Sequence, residues 1–203
     1  MKKIILITWW TGYIGSHWVV AFEEAWYKTV IVDNLSNSNI DTLDWIEKII
    51  WNRPDFYELD LRDKKSLEKV FKKYSFDWVV HFAWMKSVWE SCEKPLEYFD
   101  NNIIWSIYLL ELMEKYNVKN IISSSSATVY DMTSKNAPIL WKWKWEIDWL
   151  SEINHTWTTV NPYWTTKFLF ERILIDLWKF SWFRIANLRY FNPIWAHESG
   201  YIW

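Results

Sequence analysis

Short apolar runs alternate with amphipathic stretches along most of the chain. Ile4, Ile5, Leu6 and Ile7 run without a polar break into Thr8. Such a run fits a strand covered on both faces, as in a parallel sheet. A turn-like segment from Trp9 to Gly15 follows, and His17–Ala25 reads as the first helix. Lys28–Val32 is a second strand that ends in Asp33. Asn34 to Asn39 is a polar loop, Asp41–Ile50 a helix and Phe56–Leu59 a third strand. Asp63 stands where an N-cap belongs, before a helix over Lys64–Tyr74. Asp77–Ala83 is a fourth strand, Pro95–Tyr116 one long amphipathic helix and Lys119–Ser124 a fifth strand. Met132–Asn161 is polar and irregular, a loop expected to lie over a site. Pro162–Trp178 is a helix and Trp182–Arg189 a sixth strand. This alternation predicts right-handed βαβ units and an α/β fold, a doubly wound parallel sheet with helices on both faces.

Composition changes that picture at the turns. The chain has 20 Trp and 3 Gly in 203 residues, whereas ordinary chains carry about 7% Gly. Trp26 follows a helix and precedes a strand, the place of a C-cap glycine. Trp51 precedes Asn52-Arg53-Pro54 at another helix end, and Trp84 follows the fourth strand. None of these places suits a large indole, and several suit a positive φ. The codon UGA is read as glycine by some bacteria and as tryptophan in another translation table. We therefore expect many of these tryptophans to be glycine in the living protein, and the chain as written to be unstable.

Charge and cysteine content narrow the function classes. The formal net charge is −2 and the pI about 6.1, which gives no electrostatic case for nucleic acid. A single cysteine, Cys92, excludes an internal disulfide framework and fits a reducing, cytoplasmic setting. The apolar stretch after Met1-Lys2-Lys3 ends after about seven residues without a cleavage-site pattern, unlike a signal peptide. No stretch approaches the ~18 apolar residues of a membrane span. No metal site, membrane or nucleic-acid partner is expected.

Three features carry candidate chemistry. Asp33 closes the second strand 18 positions after Gly15. An acid so placed after a dinucleotide turn accepts hydrogen bonds from adenosine ribose hydroxyls and repels a 2′-phosphate, favouring NAD over NADP. Its bland alternative is a turn or cap aspartate. The hydroxyl run Ser123-Ser124-Ser125-Ser126 ends the fifth strand, where ligands bind in open α/β sheets. Tyr163 and Lys167 are four apart and share a helix face. A phenol titrates near 10, and a neighbouring ammonium favours its phenolate. Alone, such a pair is usually a surface helix contact. His81 beside a buried strand is given no role.

With these residues, the chain resembles the UDP-glucose (UDP-galactose) 4-epimerases, a family of the extended short-chain dehydrogenase/reductases. The matching stretches are TWWTGYIGSH, VDNLSNS, HFAWMKSVWES, CEKPLEYFDNN, SSSATVY, PYWTTK and LRYFNPIWAH, spread over essentially all 203 residues. In them the family has glycine where this chain has Trp9, Trp10, Trp84, Trp89, Trp105, Trp164 and Trp195. With glycine at position 9, the first turn is the family's G-x-x-G-x-x-G phosphate turn. The resemblance implies a Rossmann-like, NAD-binding domain over 1–203, with most of a substrate domain lying beyond it. It implies that Trp9 as glycine, Gly12, Tyr13, Ile14 and Gly15 wrap the pyrophosphate. Asp33, Asn34, Asn37 and Ser38 would meet the adenosine ribose, and Asp60 and Leu61 would bracket adenine. Phe82, Ala83, Lys86 and Asn101 would line the cofactor further along, with Tyr190. Ser126, Tyr163 and Lys167 would be catalytic, the last two also on the cofactor. Ser126, Tyr163 and Asn192 would touch the substrate.

The implied reaction is epimerisation at C4 of UDP-glucose or UDP-galactose. Tyr163 takes the 4-hydroxyl proton while hydride passes to NAD; the 4-keto sugar turns over and hydride returns to its other face. A fragment of this length is expected to be inactive alone, and a homodimer is open for a full-length chain. A 4,6-dehydratase would need an acid after the active-site Thr, but Val129-Tyr130 follow Thr128. Epimerases of N-acetylated UDP-hexosamines stay open, as does a non-catalytic NAD-binding module if the tryptophans are real.

Overall fold

The computed structural model describes residues 2–9, 12–36, 38–82, 84–129, 161–194 and 196–202. Its framework is six parallel strands: β1 (Ile4–Thr8), β2 (Lys28–Asp33), β3 (Asp55–Glu58), β4 (Trp78–His81), β5 (Asn120–Ser126) and β6 (Arg184–Tyr190). They lie in the order β3-β2-β1-β4-β5-β6, every neighbouring pair parallel. The expected doubly wound α/β sheet is therefore present. The helices are α1 (Tyr13–Glu24), α2 (Asp41–Ile50), α3 (Lys64–Lys73), α4 (Val88–Glu93), α5 (Pro95–Phe99), α6 (Trp105–Lys115) and α7 (Pro162–Phe180).

The apolar run of β1 explains the layering. Successive side chains of a strand face opposite sides. Leu6 points into one core with Val30, Val32 and Val79, covered by Phe71 of α3, Leu109 of α6 and Phe170 of α7. Ile5 and Ile7 point into the other with Ile31 and Val80, covered by Val19 of α1 and by Leu43 and Ile46 of α2. Each fully buried side chain of this size contributes roughly 1.5–3 kcal/mol. A strand covered on both faces has no polar position to spare, which is why β1 reads as a continuous apolar run.

Three elements differ from the sequence expectation. α1 begins at Tyr13 rather than His17, so Gly12 is the residue before the helix. The stretch Pro95–Tyr116 is not one regular helix: α5 and α6 are joined by a π-helical turn at Asp100–Ile104. α4 lies just upstream and was not expected. Its start is a Ser87 cap, whose hydroxyl accepts from the Glu90 N–H at 3.3 Å. Elsewhere boundaries agree within a few residues, and Asp63 caps α3 by accepting from the Ser66 N–H at 3.1 Å. The loop expected over Met132–Asn161 lies outside the described residues, except that Asn161 caps α7.

Candidate active site

The chain reverses its winding between β1 and β4, and a cleft of about 340 Å³ opens at the carboxyl ends of these strands. Ligands of open α/β sheets bind at such a switch point. A second cavity, of about 720 Å³, adjoins it and shares Trp9 and Lys86.

One end of the cleft is the turn between β1 and α1. Gly12, Tyr13, Ile14 and Gly15 all line it. Gly12 supplies no side-chain cap, and no acidic residue stands in the first turn of α1. The helix thus presents its partial positive charge towards the cleft. A Cβ added at Gly12 would meet nothing within 4 Å, so open space reaches this backbone. Trp9 leaves β1 with its N–H donating to the Val32 carbonyl at 2.9 Å, while its backbone takes φ +52° and its indole lines both cavities.

Asp33, buried at the end of β2, also faces the cleft. Its carboxylate accepts from the Leu35 N–H at 2.9 Å and the Ser38 hydroxyl at 3.3 Å. It therefore shapes the following loop, as the turn reading required, and lies on the cleft wall, as the ligand reading required. Asn34 lines the second cavity and donates to Asp60 at 3.1 Å. Arg62 also grips Asp60, at 2.7 Å, and holds its carboxyl below the usual carboxylate range against the opposing effect of burial. Leu61 is packed in the core. Phe82 and Lys86 line the main cleft. Asn101 lines the second, in the π-helical turn, and donates to Asn102 at 2.7 Å. Asn37 and Ala83 lie outside the described residues.

The other end is built by β5, α7 and β6. Ser126 ends β5, with Tyr190 opposite it in register on β6. Asn161 starts α7 by accepting from the Trp164 N–H at 2.9 Å. That cap sets Tyr163 and Lys167 one turn apart on the face towards the cleft, and Ser126, Tyr163, Lys167 and Tyr190 all line it. Burial pushes the Tyr163 phenol up, and its hydrogen bond with Ser126 works the other way. Burial also pushes the Lys167 ammonium well below its ordinary value, partly offset by Glu171. Lys167 Nζ donates to the Ser124 carbonyl at 2.7 Å and stands 3.9 Å from the Trp84 ring centroid, against 6.0 Å from the Tyr163 ring. The expected lowering of the phenol by a neighbouring ammonium is thus not the dominant effect here: desolvation outweighs it. Asn192 is exposed and off the cleft wall, although Phe191 and Pro193 line it.

Two contributors were not singled out from sequence. Glu171, buried one turn beyond Lys167, accepts from the Ser125 hydroxyl and takes both a 3.0 Å and a 2.7 Å bond from Arg189. This group ties β5, α7 and β6 together directly beneath Ser126, Lys167 and Tyr190. Its signal was available, since Tyr163, Lys167 and Glu171 recur every four residues on one face. Asn102 accepts from the Met85 N–H at 2.9 Å and donates to the Met85 carbonyl and the Thr166 hydroxyl, both at 3.1 Å. It joins the loop carrying Lys86 to α7. No sequence pattern marks it, because the π-helical turn that aims it is a tertiary feature. His81, given no role, is structural. Ser106 donates its hydroxyl proton to the Asn102 carbonyl, so His81 Nε2–H donates to Ser106 and Nδ1 accepts from Thr8, each at 2.8 Å.

The sequence matches the NAD dependent epimerase/dehydratase family over residues 5–199. The chain belongs to that family. Within it, the chain is 44% identical over 206 residues to UDP-glucose 4-epimerase 2 of Arabidopsis thaliana, covering 100% of this chain and 55% of that protein. It is 44% identical over 202 residues to a UDP-glucose 4-epimerase of Yersinia enterocolitica, covering 98% and 56%. Its fold is similar to the UDP-glucose 4-epimerase of Bifidobacterium longum in complex with NAD+ and UDP, with a TM-score of 0.86 and 40% identity, over 98% of this chain and 56% of that one. This family member therefore spans about half the length of the curated relatives it matches. Among its described residues no helix is long and apolar enough to cross a membrane.

Proposed function

We propose that this chain is the NAD-binding part of an enzyme that epimerises UDP-glucose and UDP-galactose at C4. The observation that carries the reading is the convergence of Ser126, Tyr163 and Lys167 on the cleft that also receives the α1 N-terminus and Asp33. The groups present suit a dinucleotide at both ends. The uncapped start of α1, with Gly12 open to the cleft, favours phosphates. The buried Asp33 carboxylate suits ribose hydroxyls and disfavours a 2′-phosphate. Two groups do not suit it: the indoles of Trp9 and Trp84 stand in the same cleft.

When bound, NAD supplies the hydride acceptor and the later hydride donor. The chain's own residues handle the proton and the sugar oxygen. Ser126 holds that oxygen by a hydrogen bond, and Tyr163 takes its proton on the outward step and gives it back on return. Because burial raises the Tyr163 phenol, the residue favours its protonated form and is ready for the return step. Its work as a base depends on positive charge beside it, which Lys167 carries when protonated. Glu171, opposing the desolvation of Lys167, favours that protonated form. The finer assignments, to Asn34, Asn37, Ser38, Asp60, Leu61, Phe82, Ala83, Lys86, Asn101 and Tyr190 on the cofactor and Asn192 on the sugar, belong to the same proposal.

The decisive experiment uses the complete gene product. Interconversion of UDP-galactose and UDP-glucose without net consumption of NAD supports the reading. NAD binding without interconversion overturns it in favour of a non-catalytic NAD-binding module. Loss of water from the sugar would instead identify a dehydratase.

A further inference from the structure

Six described non-glycine residues have a left-handed backbone, and four of them are tryptophan: Trp9 at φ +52°, Trp26 at +65°, Trp51 at +55° and Trp182 at +59°. Left-handed φ suits glycine, tolerates asparagine and penalises bulky side chains. The ends of the helices make the contrast direct. After α6 the Asn117 N–H donates to the Glu114 carbonyl at 3.1 Å and the Val118 N–H to Met113 at 2.8 Å. After α1 the Trp26 N–H donates to Glu23 and the Tyr27 N–H to Phe22, both at 3.0 Å. These are the same paired bonds of a Schellman ending, whose left-handed position is filled by glycine as a rule and by asparagine at times. One copy holds asparagine at that position and the other tryptophan.

The indoles gain little: Trp26 has the Lys2 ammonium 5.1 Å from its ring centroid, and Trp9 is half-buried against the core. Trp26, Trp51 and Trp182 are 76%, 90% and 89% exposed, so strain is not offset by burial. Trp84 is the opposite case. It is buried, its Nε1–H has no partner among the described residues, and it lies 3.9 Å over the Lys167 ammonium inside the cleft. A buried donor without an acceptor is costly and rare. At Trp45 and Trp178, inside α2 and α7, the backbone is helical and raises no such objection. The same holds at Trp89, Trp105 and Trp164, where the geometry carries no argument for glycine.

We propose that positions 9, 26, 51 and 182 are glycine in the working protein, through UGA read as glycine, and that position 84 is glycine as well. Three of these glycines close helix ends. The other two, at 9 and 84, flank the cleft at its phosphate end and beside Lys167, and removing both indoles clears it for a dinucleotide. The consequence for the cleft rests on the proposed function; the residue assignment does not.

Peptide mass measurement on the protein isolated from its native cells tests the assignment, together with the codons at the five positions. Glycine at all four left-handed positions and at 84 supports the proposal, and tryptophan at any of them overturns it there. The complete chain carrying glycine at all five positions is then titrated with NAD, with binding followed by calorimetry, beside the same chain in which only positions 9 and 84 are returned to tryptophan. Saturable binding by the first and at least a hundredfold weaker binding by the second supports the role in the cleft. Equal binding overturns that role while leaving the assignment intact, and no binding by either counts against the NAD reading itself.

Discussion

The two ends of the cleft are built to different standards. At the catalytic end, side chains are interlocked: Lys167 donates to the Ser124 carbonyl, and Glu171 is held by Ser125 and Arg189. Tyr163 is bonded to Ser126. At the phosphate end, a glycine-dependent turn carries Trp9 in a left-handed conformation, with its indole in the cleft. The same sequence thus satisfies the chemistry that depends on side chains and violates the chemistry that depends on a missing side chain. Loss of function by drift offers no reason for that split. A misread glycine codon does, because it touches only glycine positions and leaves the catalytic side chains intact.

The largest effect that would sharpen this contrast is on stability. Replacing Trp9, Trp26, Trp51 and Trp182 by glycine should stabilise the chain by about 1–3 kcal/mol at each position, seen as a higher urea midpoint. Replacing Trp45 and Trp178 by glycine in the same way should destabilise it, by roughly 1 kcal/mol or more each, since a helix interior disfavours glycine. Equal responses at both sets would break the comparison. Next, Tyr163→Phe in the complete, glycine-restored enzyme should lower kcat by roughly 10²–10⁴, with NAD binding weakened far less than kcat. A normal kcat would remove the tyrosine from the chemistry.

Glu171→Gln should cost about 2–3 kcal/mol of stability, because the partly buried Glu171–Arg189 ion pair is lost. It should also move the basic limb of the kcat–pH profile to lower pH, since Glu171 is what opposes the desolvation of Lys167. A stability loss with an unmoved profile would make Glu171 a structural staple only.

The smallest effect concerns His81. Burial, and secondarily the charge of Lys167, hold its folded pKa down to about 3, against 6.5 in the unfolded chain. Above pH 6.5 both states are neutral and the stability is complete. As pH falls from there towards 3, the unfolded state takes up the proton first and stability declines, by at most ~1.4 kcal/mol per unit. Urea midpoints at pH 7, 6 and 5 should therefore descend. A His81→Gln variant should be less stable at pH 7 but flatter across that range, and parallel slopes would exclude His81 as the cause.

Much of the architecture was legible in the chain alone. Apolar runs such as Ile4–Ile7 and Val30–Val32 can be satisfied only by a strand covered on both faces, and the helical stretches between them leave a doubly wound parallel sheet. Local rules placed Ser126, Tyr163 and Lys167, at a strand's carboxyl end and on one face of a helix, and the resemblance supplied their roles. Trp26 and Trp51 were marked as glycine-type helix ends for the same reason, since helix termination is a matter of neighbouring residues. Tertiary structure decided what depends on groups far apart in sequence. It put Arg189 on Glu171, and it opened the π-helical turn that aims Asn102 at Met85 and Thr166. It also set Lys167 beneath the Trp84 ring and buried the Tyr163 phenol, which desolvation pushes up. Burial and hydrogen-bond pairing across the sheet exist only once the strands have met, and no periodicity within one segment encodes them.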